Sequence, residues 1–228
     1  EAAWLRLHPL PERSVLLAAA VPDGAEGFER ALAAARRPSA RVAAHLDRAL
    51  AAAIDPTTAR EGSVLLLELA GNESLLEADL RELVEETGAH EVDEVMIERL
   101  RGVQGGVFHP GGLRVRLSSL PTRVCESAEI LARDGGAVLA YPARGLHNVR
   151  FPVGLSNDQS AVEVAERSAR LAAAASGGGY VIEDAPDWAK QGRDVFGDPG
   201  QLLPLIRALK HQYGPKGVLN PGRFAGRL

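Results

Sequence analysis

The chain has 228 residues, 46% of them hydrophobic and 25% charged, enough to bury a sizeable core in a single domain. A net charge of −4 and 4% aromatic residues argue against a general nucleic-acid binder, which needs a basic face, and against the stacking platform of a single-strand binder. One cysteine, Cys125, excludes an intrachain disulfide and a Cys-rich metal or iron–sulfur site; it fits a reducing compartment. No apolar run reaches the roughly 20 residues of a membrane-spanning helix.

In chain order, residues 4–11 read as a short extended arm and Val15 to Val21 as a strand. Asp23 is placed to cap a helix that carries Phe28, Leu32 and Ala35 on one face, with Glu26 set for a capping box. The Ala-rich stretch from Arg41 to Ile54 reads as a second helix, and 55–58 as a turn. Val64 to Leu69 is a buried strand. Ser74 opens a helix whose inner stripe is Leu76, Leu80, Leu83 and Val84, and Gly88 stops it. Glu91 to Ile97 reads as an acidic strand. Arg99 to Gly112 holds five glycines and reads as a flexible loop.

Leu113 to Leu117 alternates, so Arg114 and Arg116 share one face. Pro121 starts a helix carrying Val124, Ala128 and Leu131, which Gly135 stops; Ala137 to Tyr141 is the next strand. Leu146 to Val153 is another, with His147, Val149 and Phe151 on one face and Asn148 and Arg150 on the other. Asn157 caps a long helix that Gly177 breaks, and Tyr180 to Glu183 is a strand. A last helix through Leu202, Ile206, Leu209 and Tyr213 runs into Gly214, read as a left-handed cap, and Pro215 forbids its continuation.

From Leu113 the order is β-α-β-β-α-β, a ferredoxin-like unit, and the first half reads as a weaker copy. The predicted fold is therefore α+β: antiparallel sheets with helices on one side, built of one or two such units. The other sheet face is left free to cover something else.

Several chemistries have no signature here. No glycine-rich phosphate cradle follows a strand, no paired-Cys or H-E-x-x-H metal pattern exists, and no nucleophile elbow is present. Arg114 and Arg116 could hold a carboxylate in a bidentate fork; the plainer alternative is a solvated strand face. His147 could equally be a hydrogen-bonded core or rim histidine. One histidine cannot hold a metal alone, so no metal site is expected.

The terminal phrase Tyr213-Gly-Pro-Lys-Gly-Val-Leu-Asn-Pro-Gly-Arg-Phe224 resembles the C-terminus of the FAD-linked oxidases of the vanillyl-alcohol-oxidase type. Those chains end in a helix followed by Asp-Pro-x-Gly-x-Leu-Asn-Pro-Gly and a basic residue. Here Gly214 replaces the Asp, while Pro215, Gly217, Leu219, Asn220, Pro221, Gly222 and Arg223 fit. The Arg ending and the preceding Asp194-Val-Phe-Gly phrase look most like the E subunits of glycolate oxidase, as does the phrase that begins at Arg116 and runs to Pro121. Tyr141 to His147 occupies the place of a His-rich motif in the 2-hydroxy-acid dehydrogenases, with Gly145 and His147 matching. Glu183 to Lys190 occupies the place of a second motif; Glu183 and Lys190 match, and Asp184 stands where the proton-accepting His is expected.

The resemblance implies that residues 1–12 are an arm following an FAD-binding domain, and that 13–228 are the C-terminal cap domain of such an oxidase. It implies a small 2-hydroxy acid as substrate, held by Arg116, His147, Glu183 and Lys190, with the catalytic base unknown. FAD is bound mainly by the preceding domain, and Asn220 and Arg223 contact it. The implied partners are an FAD subunit of the D type and an iron–sulfur subunit of the F type, in the cytoplasm and peripheral to the inner membrane through those partners. Two other readings stand beside it: a non-catalytic assembly or electron-transfer module of the same complex, and a small-molecule-binding ferredoxin-like domain unrelated to flavin.

Overall fold

The structure, a computed structural model, describes residues 10–54, 62–92, 95–96, 98–99, 112–153, 158–214, 216 and 222. Its centre is one eight-stranded sheet in the order β4-β1-β3-β2-β6-β7-β5-β8. The strands are β1 (Arg13–Val21), β2 (Ala40–Leu46), β3 (Ser63–Gly71), β4 (His90–Glu91), β5 (Leu113–Ser118), β6 (Ala137–Tyr141), β7 (Leu146–Phe151) and β8 (Gly179–Asp184). Every neighbouring pair is antiparallel. Each half keeps the 4-1-3-2 strand order of a ferredoxin-like unit, and the halves join through their second strands, with His45 opposite Ala140 and Leu46 opposite Leu139. The duplicated α+β architecture expected from the sequence is therefore present.

The helices are α1 (Ala25–Ala34), α2 (Arg48–Ile54), α3 (Glu73–Thr87), α4 (Val124–Arg133), α5 (Gln159–Ser176), α6 (Asp187–Lys190) and α7 (Leu203–Tyr213). In the first half, α1 and α3 pack on Val15, Leu17, Ala19, Leu65, Leu67 and Leu69 through Ala31, Leu76 and Leu83. In the second, α4 and α5 cover Leu113, Val115, Leu117 and Val149 through Ala128, Leu131, Val162 and Ala169. Fully burying a Leu or Val of this kind contributes on the order of 2 kcal/mol, which makes these two layers the main source of stability. On the far face of the first half, α2 lays Leu50 and Ala51 over Ala18, Ala44, Leu46, Val64 and Leu66. That cover explains why 15–21 and 64–67 are continuous apolar runs: both of their faces are buried.

Several local expectations are corrected. The stretch 41–54 is a strand followed by a helix, because β2 pairs with β3 from Val42↔Glu68 to Leu46↔Val64 and tertiary pairing outweighs the helix propensity of alanine. Asp47 marks the switch: its carboxylate accepts the Leu50 N–H at 2.8 Å, opening α2, and the Val138 N–H of β6 at 2.7 Å. Gly24, rather than Asp23, precedes α1, and Glu26 pairs with Arg30 on the surface. Asn72 caps α3 by accepting the Leu75 N–H, so the helix opens before Ser74. Val84 of that helix is exposed rather than part of its inner stripe. The acidic segment after Ala89 contributes only His90–Glu91 to the sheet, and 95–96 and 98–99 are helical. Asp158 caps α5 through the Ala161 N–H, and Asn157 lies outside the described residues. Gly214 ends α7 at φ −140°, not in the left-handed region.

The glycine stop after α5 has a further cause. A Cβ on Gly178 would lie 1.7 Å from the Ser118 carbonyl oxygen, so only glycine lets α5 end against the close of β5. Residues 100–111 of the glycine-rich segment lie outside the described residues.

Candidate functional site

Among the described residues, no helix lies over the centre of the far face of the second half. Alternation along β5 sends Leu113, Val115 and Leu117 into the helix-side core and leaves Arg114, Arg116 and Ser118 on the far face. Asn148 and Arg150 of β7 join them: Arg114 stands opposite Arg150, and Arg116 opposite Asn148. From the other side β8 brings Glu183. Its carboxylate lies 3.4 Å from Arg114 Nε and 3.3 Å from Arg116 Nε. With Val181 opposite Arg116 and Ile182 opposite Val115, alternation along β8 keeps Glu183 on the arginine face, and a register shift beyond it pairs Arg114 with Asp184.

The electrostatics are unusual for a sheet surface. Arg150 is only 7% exposed. Burial and the facing Arg114 guanidinium hold it below the ordinary arginine value, with Asp184 opposing them. Like charges directly across an antiparallel pair are destabilising, so the Glu183 carboxylate, shared between Arg114 and Arg116, relieves the crowding. Three guanidiniums thus face two carboxylates on a shallow surface. Leu50 of α2 closes one flank, forming with Leu139, Asn148 and Arg150 a cavity of about 20 Å3, room for about one water molecule. Planar donor forks in such a setting suit a carboxylate or another flat acceptor.

Arg116 and Glu183, two of the residues singled out from sequence, are thus in contact. His147 is not with them. It is fully buried on the helix side of β7, where Nε2 lies 2.8 Å from Ser127 Oγ of α4 and 3.2 Å from Ser119 Oγ. Burial lowers its pKa to about 4, so the ring is neutral near pH 7. Lys190 sits on α6, its ammonium 3.0 Å from Asp187. Asn220 and Arg223 lie outside the described residues. Cys125 is half-buried on α4; burial and the nearby Glu129 push its thiol up to about 11, which makes it a poor nucleophile at neutral pH. Among the described residues, no three His, Cys, Asp or Glu side chains converge as a metal site. No described helix is long and apolar enough to cross a membrane.

Sequence reasoning undervalued Arg114, Asn148 and Arg150. The signal existed in the alternation of β7, which put Asn148 and Arg150 on one face, but only strand pairing shows that this face adjoins Arg114. His45 and Asp47 were hidden inside a stretch that reads as helix. His45 lies on the helix side of β2, 3% exposed, stacked on Phe28 with centroids 4.1 Å apart.

No protein-family model matches the chain, and no curated protein matches it in sequence. Solved structures do match in fold. The 4-ethylphenol oxidase of Gulosibacter chungangensis, in its isoeugenol complex, superposes with a TM-score of 0.56 at 15% identity, over 96% of this chain and 55% of that one. A p-cresol methylhydroxylase with substrate bound gives 0.57 at 13% identity, over 93% of this chain and 53% of that one. The chain has the fold of a part of these enzymes and spans about half their length.

Proposed function

We propose that this chain is the cap domain of an FAD-dependent oxidoreductase acting on a small 2-hydroxy acid, of the glycolate oxidase E-subunit kind. The observation that carries the reading is the arginine row on the uncovered sheet face: Arg114 and Arg116 around Glu183, beside the buried Arg150. The fold match to two enzymes named for the oxidation of phenols supports an oxidase setting for it. The face is flat, cationic and flanked by an apolar helix, which fits a planar ring with carbonyl acceptors on its edge. FAD, when bound, supplies the acceptor for the two electrons of alcohol oxidation.

Within this reading, Arg116 takes the substrate carboxylate through its guanidinium fork, being the more exposed of the paired arginines. Glu183 holds Arg114 and Arg116 apart and orients them until an anion arrives. Arg150 supplies positive potential from below. His147 enters only through the strand it anchors, since its ring lies on the other side of the sheet. Asn220 and Arg223 are the expected contacts to the cofactor, most of which is held by a domain preceding this one.

The test needs the reading frame upstream of Glu1 expressed together with this chain. The product is expected to retain FAD, to be bleached anaerobically by glycolate or lactate, and to require about tenfold more substrate for half-saturation in Arg116→Met, the loss of a charge-assisted fork. Retention of FAD without bleaching by any 2-hydroxy acid would defeat the substrate assignment. A second reading, an assembly or electron-transfer module, is favoured by α7, none of whose residues is buried and whose Leu205, Leu209 and Tyr213 face solvent. Less than one flavin per subunit in the purified complex would favour it.

A further inference from the structure

On the helix side of the sheet the two halves do not close completely. A cavity of about 320 Å3 lies between the start of α1 and the end of α4, above the β2–β6 junction. Most of its wall is apolar, including Phe28, Ala128 and Val138, and three carboxylates reach it: Asp23, Asp47 and Glu129. This size and mixture, apolar walls with a few converging polar groups, is the usual form of a small-molecule site.

The carboxylates differ in what they have left to offer. Asp47 gives its two oxygens to the backbone N–H groups of Leu50 and Val138. Asp23 accepts the Ser63 hydroxyl at 2.7 Å and pairs with Arg48 at 2.9 Å. Glu129, across the mouth from Gly24, receives only a long contact from the Cys125 thiol at 3.5 Å among the described residues. His45 forms part of the wall with neither ring nitrogen hydrogen-bonded among the described residues. Burial lowers its pKa to about 4, so at neutral pH it offers one donor and one acceptor and no charge. An anionic ligand would meet three carboxylates, and a neutral one would leave Glu129 desolvated without a partner.

We propose that this cleft binds a small amphiphilic amine, with its ammonium at Glu129 and Asp23, its apolar body between Phe28, Ala128 and Val138, and a hydroxyl substituent within reach of His45. The site lies on the opposite face of the sheet from the arginine row and stands independently of the oxidase reading.

Tyramine is a suitable probe, with 4-hydroxyphenylacetate as its charge-reversed control. Calorimetric titration of the chain is expected to give saturable tyramine binding and none for the acid, and NMR titration to move the ring signals of Phe28 and His45. Glu129→Gln should weaken tyramine about tenfold, the loss of a charge-assisted bond. Ala132→Trp, at an exposed position on the cavity's edge, should block it while leaving the thermal melt of the chain intact. Absence of saturable tyramine binding, equal binding of the acid, or tyramine binding unchanged in both variants would each overturn the proposal.

Discussion

In the first half of the sheet, the face turned away from α1 and α3 carries Ala18, Ala44, Leu46, Val64 and Leu66, and α2 lies on it. In the second half the same face carries Arg114, Arg116, Asn148 and Arg150, with Glu183 between the first two and, among the described residues, no helix above them. The strand order is the same in both. The helix-side faces are alike because each must bury one apolar layer beneath two helices, and that requirement repeats the alternation of large aliphatic residues. The far faces carry no such common requirement. One became a second core, and the other became a charged surface. A duplicated topology is thus compatible with two unlike surfaces, and the chemistry lies in the half whose far face stayed open.

The premise of the comparison is that the halves are one cooperative body. Leu67→Ala in the first core and Leu117→Ala in the second, both fully buried, should each cost about 2–5 kcal/mol. Calorimetry should show one transition lowered by either change; two transitions, each moved by its own mutation, would break the premise. The seam itself is held by Asp47, which bonds α2 and β6 at once. Asp47→Ala, leaving two backbone donors without that carboxylate, is expected to cost about 2–3 kcal/mol in urea unfolding.

Acid should test the seam and the cores together. His45 and His147 are lowered from 6.5 to about 4 in the fold, so the unfolded chain takes up protons first; their contribution is complete above pH 6.5 and is lost as pH falls through 4. Asp47 is raised from 3.8 to about 6 by burial, so its contribution is present below 3.8 and is lost as pH rises through 6. The two histidines outweigh the one carboxyl, and stability should fall by roughly 4 kcal/mol from near-neutral pH to the acid side of this window. His147→Gln should flatten that fall, and Asp47→Asn should steepen it; melting curves across the window decide both.

On the open face the effects are smaller. Glu183→Gln leaves Arg114 facing Arg150 without the shared carboxylate, and a loss of about 1 kcal/mol or less is expected, shrinking in high salt. Arg150→Met should be within about 1 kcal/mol of neutral in stability, because burying a cation costs nearly what its partners return. A large loss in either variant would show that the arginine row is part of the scaffold and not a surface kept for binding. Least of all, Leu205→Ala and Leu209→Ala on the exposed helix α7 should shift stability by no more than about 0.5 kcal/mol.

What the sequence by itself determined was local. Alternation from Leu113 to Leu117 put Arg114 and Arg116 on one face, and Gly88 and Gly177 marked helix ends that adopt left-handed φ of 68° and 64°. The β-α-β-β-α-β order of the second half was legible because each element announces itself by its own period. The first half was harder to read: its strands are buried on both faces and lose alternation, and an alanine run concealed β2, His45 and Asp47. Tertiary structure alone decided that the units join through β2 and β6, that Arg150 stands opposite Arg114 with Glu183 beside it, and that Ser127 of α4 is the partner of His147. The physical reason is that each depends on pairing between residues far apart in the chain. A one-residue change of register sends a side chain to the opposite face, and only the paired strand and the packed helix choose between the two.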